Sequence, residues 1–158
     1  MAWACACYRP DYFAAAAPFS AVTPDIMAKE MVPPAEGSPI AVMANMGLED
    51  KIFEGGFSTD RARKLVEYWS RRYHLDHDWS DFRFGGDGRT ATFKDGKFNN
   101  YVFRTADGVP MLRCVETETK THAVLPSECE MVWTQFFTKF SKDVKNGVLY
   151  YEGRPVKA

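Results

Sequence analysis

Apolar and polar positions divide this chain into stretches of three different periods. Met1 to Tyr8 is apolar throughout, with small residues around Trp3, and predicts a helix buried on most of its sides. Arg9-Pro10-Asp11 ends it. Tyr12 to Phe19 and Ile40 to Met46 are unbroken apolar runs, as in strands covered on both faces of a parallel sheet. Alanine is a weak strand former, so the first run depends on its surroundings. Between them, Ala21 to Pro39 carries Pro24, Pro33, Pro34, Gly37 and Pro39 and predicts a loop with one helical turn near Ile26 to Met31. Loops of this length often act as lids.

Helical spacing follows. Ser58 and Thr59 cap a helix reaching about Tyr73, with Ala62, Leu65, Val66 and Trp69 on one face and Arg61, Arg63, Lys64 and Glu67 on the others. From Phe82 to Arg113 the pattern turns antiparallel. Gly85-Gly86-Asp87-Gly88, Asp95-Gly96 and Asp107-Gly108 are turn signals between Thr90 to Phe93, Asn100 to Arg104 and Met111 to Arg113. Met111, Leu112, Cys114 and Val115 predict a strand that passes into a polar loop, Glu116 to Thr121, holding His122 at its end. Pro126 and Ser127 then open a helix, with Ser127 and Glu130 in capping-box spacing. Met131, Val132, Gln135, Phe136 and Phe140 recur on one face, which docks on the sheet. Asn146-Gly147 and Tyr150-Tyr151 make a short surface tail.

The order helix, strand, loop, strand, acidic turn, helix, hairpin, strand, histidine, helix predicts an α/β fold. Three parallel strands with flanking helices carry an antiparallel hairpin insertion, in one domain over residues 1–158. A hydrophobic share of 46% is enough for a packed core at this length. Twenty basic against 21 acidic residues, without a run of either sign, speak against nucleic-acid or membrane partners. Cys5, Cys7, Cys114 and Cys129 lack Cys-x-x-Cys spacing, and reduced thiols are expected. There is no signal-peptide pattern and no apolar run of about 18 residues, so a soluble chain is expected and its localisation is left open.

The candidate chemistry gathers at strand ends. A histidine between a strand end and a helix start lies where ligands collect in open α/β sheets, and otherwise serves as a cap for the helix. The acid pair Glu49 and Asp50 directly after the second strand is either a catalytic carboxylate or a solvated turn. His74, Asp76, His77, Asp78 and Asp81 are rich in ligating atoms but match no zinc spacing, and no metal is expected there. Trp133, Phe136 and Phe137 fall at helical spacing and are expected in the core. Phe82, Phe84, Phe93, Phe98, Tyr101 and Phe103 alternate along the hairpin, so half are expected against the body and half along a substrate cleft.

The run Thr-His-Ala-Val-Leu-Pro, then Glu-x-x-x-Val-Trp-x-x-Phe-Phe-x-x-Phe-Ser-Lys and Asn-Gly-Val-Leu-Tyr-Tyr, resembles the C-terminal end of α/β-hydrolase esterases related to polyhydroxybutyrate depolymerases and feruloyl or acetylxylan esterases. The resemblance implies the later half of an α/β-hydrolase sheet and makes His122 the triad base. It makes Asp50, ahead of Glu49, the triad acid, in the chain order nucleophile, acid, base. No Gly-x-Ser-x-Gly occurs among the 158 residues. Arg9 to Pro18 resembles the segment that follows the family's nucleophile elbow and its helix, so the serine and the oxyanion loop are expected upstream of Met1.

The implied substrate is a small-molecule or polymeric ester, with no cofactor. The chain alone is expected to be inactive, and its uncovered sheet edge invites self-association. Two other readings stay open: a non-catalytic small α/β binding domain, and one half of a split hydrolase.

Overall fold

The computed structural model describes residues 1–21, 37–52, 56–57, 60–76 and 91–157, with side chains from residue 64 onward in the helix that begins at Asp60. The predicted helical turn near Ile26 to Met31, the Ser58 and Thr59 cap, the Gly85 to Gly88 turn, Phe82 and Phe84 lie outside the described residues.

Helix α1 (Ala2–Tyr8) leads to β1 (Ala15–Ala16), β2 (Ala41–Gly47) and α2 (Asp60–Tyr73). Then come β3 (Phe93–Asp95), β4 (Phe98–Phe103) and β5 (Leu112–Thr117), followed by α3 (Pro126–Gln135), a 3-10 turn at Phe137–Lys139, and β6 (Phe140–Asp143), β7 (Val148–Tyr151) and β8 (Arg154–Pro155). The fold is mixed α/β. A five-stranded sheet has the order β1-β2-β5-β4-β3, and β6-β7-β8 form a second, antiparallel one.

Strand β2 is apolar at nearly every position because both its faces are covered, and all seven of its residues are buried. It runs parallel to β1, with Ala16 opposite Val42, and to β5, from Val42 opposite Leu112 to Gly47 opposite Thr117. The expected three parallel strands are present. Strand β1 is much shorter than Tyr12 to Phe19 predicts, although Phe19 still bridges to Asn45 beside it. The hairpin continues the same sheet: β4 pairs antiparallel with β5, and Asp95 opposite Phe98 closes the β3–β4 turn with Gly96 at φ 56.

Helices α1 and α2 meet through aromatic rings. Trp3 stacks on Trp69 with centroids 6.2 Å apart, and Trp69 on Tyr73 at 5.5 Å. The Tyr73 hydroxyl accepts from the Ile40 amide at 3.1 Å, which registers α2 against the start of β2. At burial of this order each large side chain contributes about 1.5–3 kcal/mol.

Four expectations need correction. Helix α3 begins with Pro126 at its first turn, so Glu128 and not Glu130 reaches back to the cap, accepting the Leu125 amide at 3.0 Å. It ends at Gln135, and Phe140 belongs to β6, although Met131, Val132, Phe136 and Phe140 share the buried face as expected. Trp133 is 64% exposed and not in the core. The short surface tail is part of a three-stranded meander: Phe140 stands 5.0 Å from the rings of both Phe136 and Tyr151, seating β6–β8 on α3.

Candidate active site

Strands β2 and β5 end level with each other, since Gly47 pairs with Thr117. The loops that leave them are tied together by main-chain bonds. Leu48 N donates to Thr117 O at 3.1 Å, and Glu49 N to Lys120 O at 2.9 Å. Gly47 makes this approach possible: a Cβ there would lie 2.2 Å from the Lys120 carbonyl oxygen and 2.7 Å from that of Thr121. Any other residue would push the second loop away.

The clamp sets Asp50 beside His122. Asp50 Oδ1 accepts from the Ile52 amide at 2.9 Å, an Asx turn that fixes the carboxylate plane. Its Oδ2 lies 2.9 Å from His122 Nδ1. Asp50 is wholly buried while the His122 side chain is 41% exposed. Facing a carboxylate, Nδ1 carries the proton, and the basic lone pair falls to Nε2 on the other edge of the ring. The neighbouring Glu49 is exposed, and of the acid pair it is Asp50 that faces His122.

Beneath the pair sits a buried polar network. Glu128 Oε1 accepts from Lys120 Nζ at 2.8 Å and from Thr117 Oγ1 at 2.7 Å, while Oε2 takes the Leu125 amide. Both side chains of the Lys120–Glu128 ion pair are fully buried. This network brackets residue 122, joining the end of β5, the loop and the start of α3. Next to it, Glu116 Oε2 accepts from Tyr101 Oη at 2.9 Å, and Oε1 from the Phe57 amide at 3.0 Å. Strand β5 therefore runs two residues deeper than its apolar run predicts, because Glu116 and Thr117 are paired and can be buried.

Gly47, Thr117, Lys120 and Glu128 went unmarked in the sequence. A glycine closing a buried strand, and a glutamate two residues after a helix-opening proline, were the available signals.

Among the described residues no group of three or more His, Cys, Asp or Glu could hold a metal ion. His77, Asp78 and Asp81 lie outside them. Asp76 instead accepts from the Arg104 amide at the end of β4, and Asp76 N donates to Arg104 O at 2.7 Å. No helix among the described residues is long and apolar enough to cross a membrane.

Burial pushes the Cys7 thiol up to about 11, and also raises that of Cys114, so neither is a ready nucleophile. Chemically, the arrangement at residues 50 and 122 can move a proton: the carboxylate holds the imidazole's tautomer and stabilises its cation, and the exposed ring exchanges the proton with a reacting group. Comparison with protein-family models and with curated proteins gives no match to this chain.

Proposed function

We propose that Asp50 and His122 are the acid and base of a serine carboxylic-ester hydrolase, on the later half of an α/β-hydrolase sheet. A serine hydroxyl supplied from outside these 158 residues completes the triad. The observation that carries this reading is the 2.9 Å contact between His122 Nδ1 and a wholly buried Asp50, at the carboxyl ends of two adjacent parallel strands. His122 removes the serine proton during attack on the ester and returns it to the leaving alkoxide, while Asp50 steadies the imidazolium between the two transfers. Small-molecule and polymeric esters both fit this chemistry. Strands carrying the serine would join at β1, the edge of the five-stranded sheet nearest α1.

Two measurements test the proposal. In the chain alone, nitrogen-15 NMR should find His122 protonated at Nδ1, and Asp50→Asn should redistribute the proton between the two nitrogens. Extended by the segment encoded upstream, the protein should hydrolyse p-nitrophenyl acetate, with Asp50→Asn lowering kcat by about 10⁴ and His122→Ala by at least as much. An extended enzyme that keeps its rate without the imidazole would refute the assignment.

A further inference from the structure

At the other end of β5 lies a cleft of about 340 Å³ between β4, β5, the last turn of α3 and the β6–β8 meander. Among the described residues lining it, three are cations, Arg104, Arg113 and Lys139, and none is an acid. The rings of Phe93, Phe136, Phe140 and Tyr151 supply much of the remaining wall. The volume is that of a site for a small molecule. Four steps of extended strand, about 13 Å, lead from Arg113 to Thr117, the end of β5 from which the His122 loop leaves.

Arg113 is the unusual group. It is only 6% exposed, yet its polar contacts are neutral: Nε donates to Asn100 Oδ1 and Nη2 to Gln135 Oε1, each at 2.8 Å. Its Cζ stands 5.2 Å from the centre of the Phe93 ring, which is 41% exposed. Asp95 compensates it through space without a hydrogen bond to the guanidinium, and accepts from Gln135 Nε2 at 3.2 Å. Glu152 is paired with Lys139 at 2.9 Å, and Asp76 accepts from the Arg104 amide. The Arg104 guanidinium donates to the Gly108 carbonyl at 2.9 Å. Buried guanidinium groups are ordinarily matched by a carboxylate or phosphate, because desolvating the charge costs several kcal/mol. Burial holds Arg113 down to about 10, with Asp95 opposing, so the desolvation is felt.

We propose that this cleft binds a small organic carboxylate with a ring-sized apolar body. The carboxylate pairs with Arg113 under the bias of Arg104, and the body lies among the rings of Phe93 and Phe140. A planar guanidinium accepts a carboxylate through two parallel hydrogen bonds, and the aromatic walls favour an apolar body over bare phosphate. The site is independent of the catalytic pair.

Benzoate is the probe, titrated into the 158-residue chain at low salt and followed by amide shifts in NMR spectra. Saturable shifts should appear at residues 100–104, 113 and 134–136. The neutral isostere benzamide should bind at least about 10-fold more weakly. Arg113→Met should weaken benzoate by about 10- to 100-fold, and Arg104→Gln by about 2- to 5-fold. Phe93→Ala, at a half-exposed wall, should also weaken it; these last two variants decide the matter if Arg113→Met fails to fold. The proposal is overturned by an absence of saturable shifts, by benzamide matching benzoate, or by inorganic phosphate matching benzoate. Unchanged affinity in both Arg104→Gln and Phe93→Ala overturns it equally.

Discussion

At the carboxyl end of β5, Glu116, Thr117, Lys120 and Glu128 are all buried, and each carboxylate there accepts at both its oxygens. At the amino end of the same strand, Arg113 is almost as deep but is held by two neutral amides. The first end is closed electrostatically, with a cation for Glu128, and its bonds run between the elements that carry His122. The second end keeps a buried guanidinium with no carboxylate hydrogen-bonded to it. Burial of charge alone therefore does not mark a ligand site; what separates the two buried cations, Lys120 and Arg113, is whether the chain sets a carboxylate in direct contact with them. That criterion assigns the Lys120–Glu128 pair to holding the loop in place and the Arg113 cleft to binding.

The contrast can be broken from either side. The largest effect on stability is expected from Glu128→Ala, which strands the Lys120 ammonium in the interior and removes the cap of α3. Removing one partner of a buried pair costs about 3–5 kcal/mol, a large part of a domain's total stability. Urea unfolding followed by circular dichroism should report it, and the spread of His122 conformations should widen in the NMR spectrum. A loss below about 1 kcal/mol would mean that the pair does not hold the His122 loop in place.

Arg113→Met should cost less, about 1–2 kcal/mol. It leaves two amides without a partner but removes an uncompensated charge, and methionine refills much of the volume. The difference between the two variants, measured in the same unfolding assay, is the sharper quantity. Equal losses would show that Arg113 is as fully matched by the fold as Glu128, and would count against a carboxylate site in the cleft.

Much of the sheet was legible because its strands are buried on both faces and read as apolar runs: Ile40 to Met46 and Leu112 to Val115 gave β2 and most of β5. The rest required knowledge of partners. Glu116 and Thr117 look like loop residues until Tyr101 and Glu128 are placed beside them. Trp133, at helical spacing with Phe136 and Phe137, reads as core, but α3 is covered on one side only and leaves it exposed. His122 and Asp50 were visible as candidates through the resemblance. Their contact was not, because it depends on the main-chain clamp at Gly47, which a sequence records only as one glycine.

The smallest effect concerns a second cation held by neutral groups at the amino end of the sheet. Lys142 on β6 donates to the Pro10 carbonyl, and to that of Pro39 at 2.6 Å just before β2, so it ties the meander to both loops. Desolvation lowers it to about 8 from 10.5, against the opposing pull of Asp11. A lysine with a lowered folded value binds fewer protons in the fold than in the unfolded chain between pH 8 and 10.5, so its contribution to stability rises with pH across that window. Below pH 8 its cost is fully present. Because the side chain is only half buried, solvent reduces the effect to about 1 kcal/mol or less. Tyr73, raised by burial to about 12, and Cys7, raised to about 11, act in the opposite sense above pH 9, since both stay neutral in the fold after they ionise in the unfolded chain. The measurement is therefore a difference: the unfolding free energy of the wild type minus that of Lys142→Met, from pH 7 to 10.5. That difference should climb towards alkaline pH. A flat difference would mean that the two prolyl carbonyls solvate the ammonium as well as water does, and the same standard would then have to be applied to the amides around Arg113.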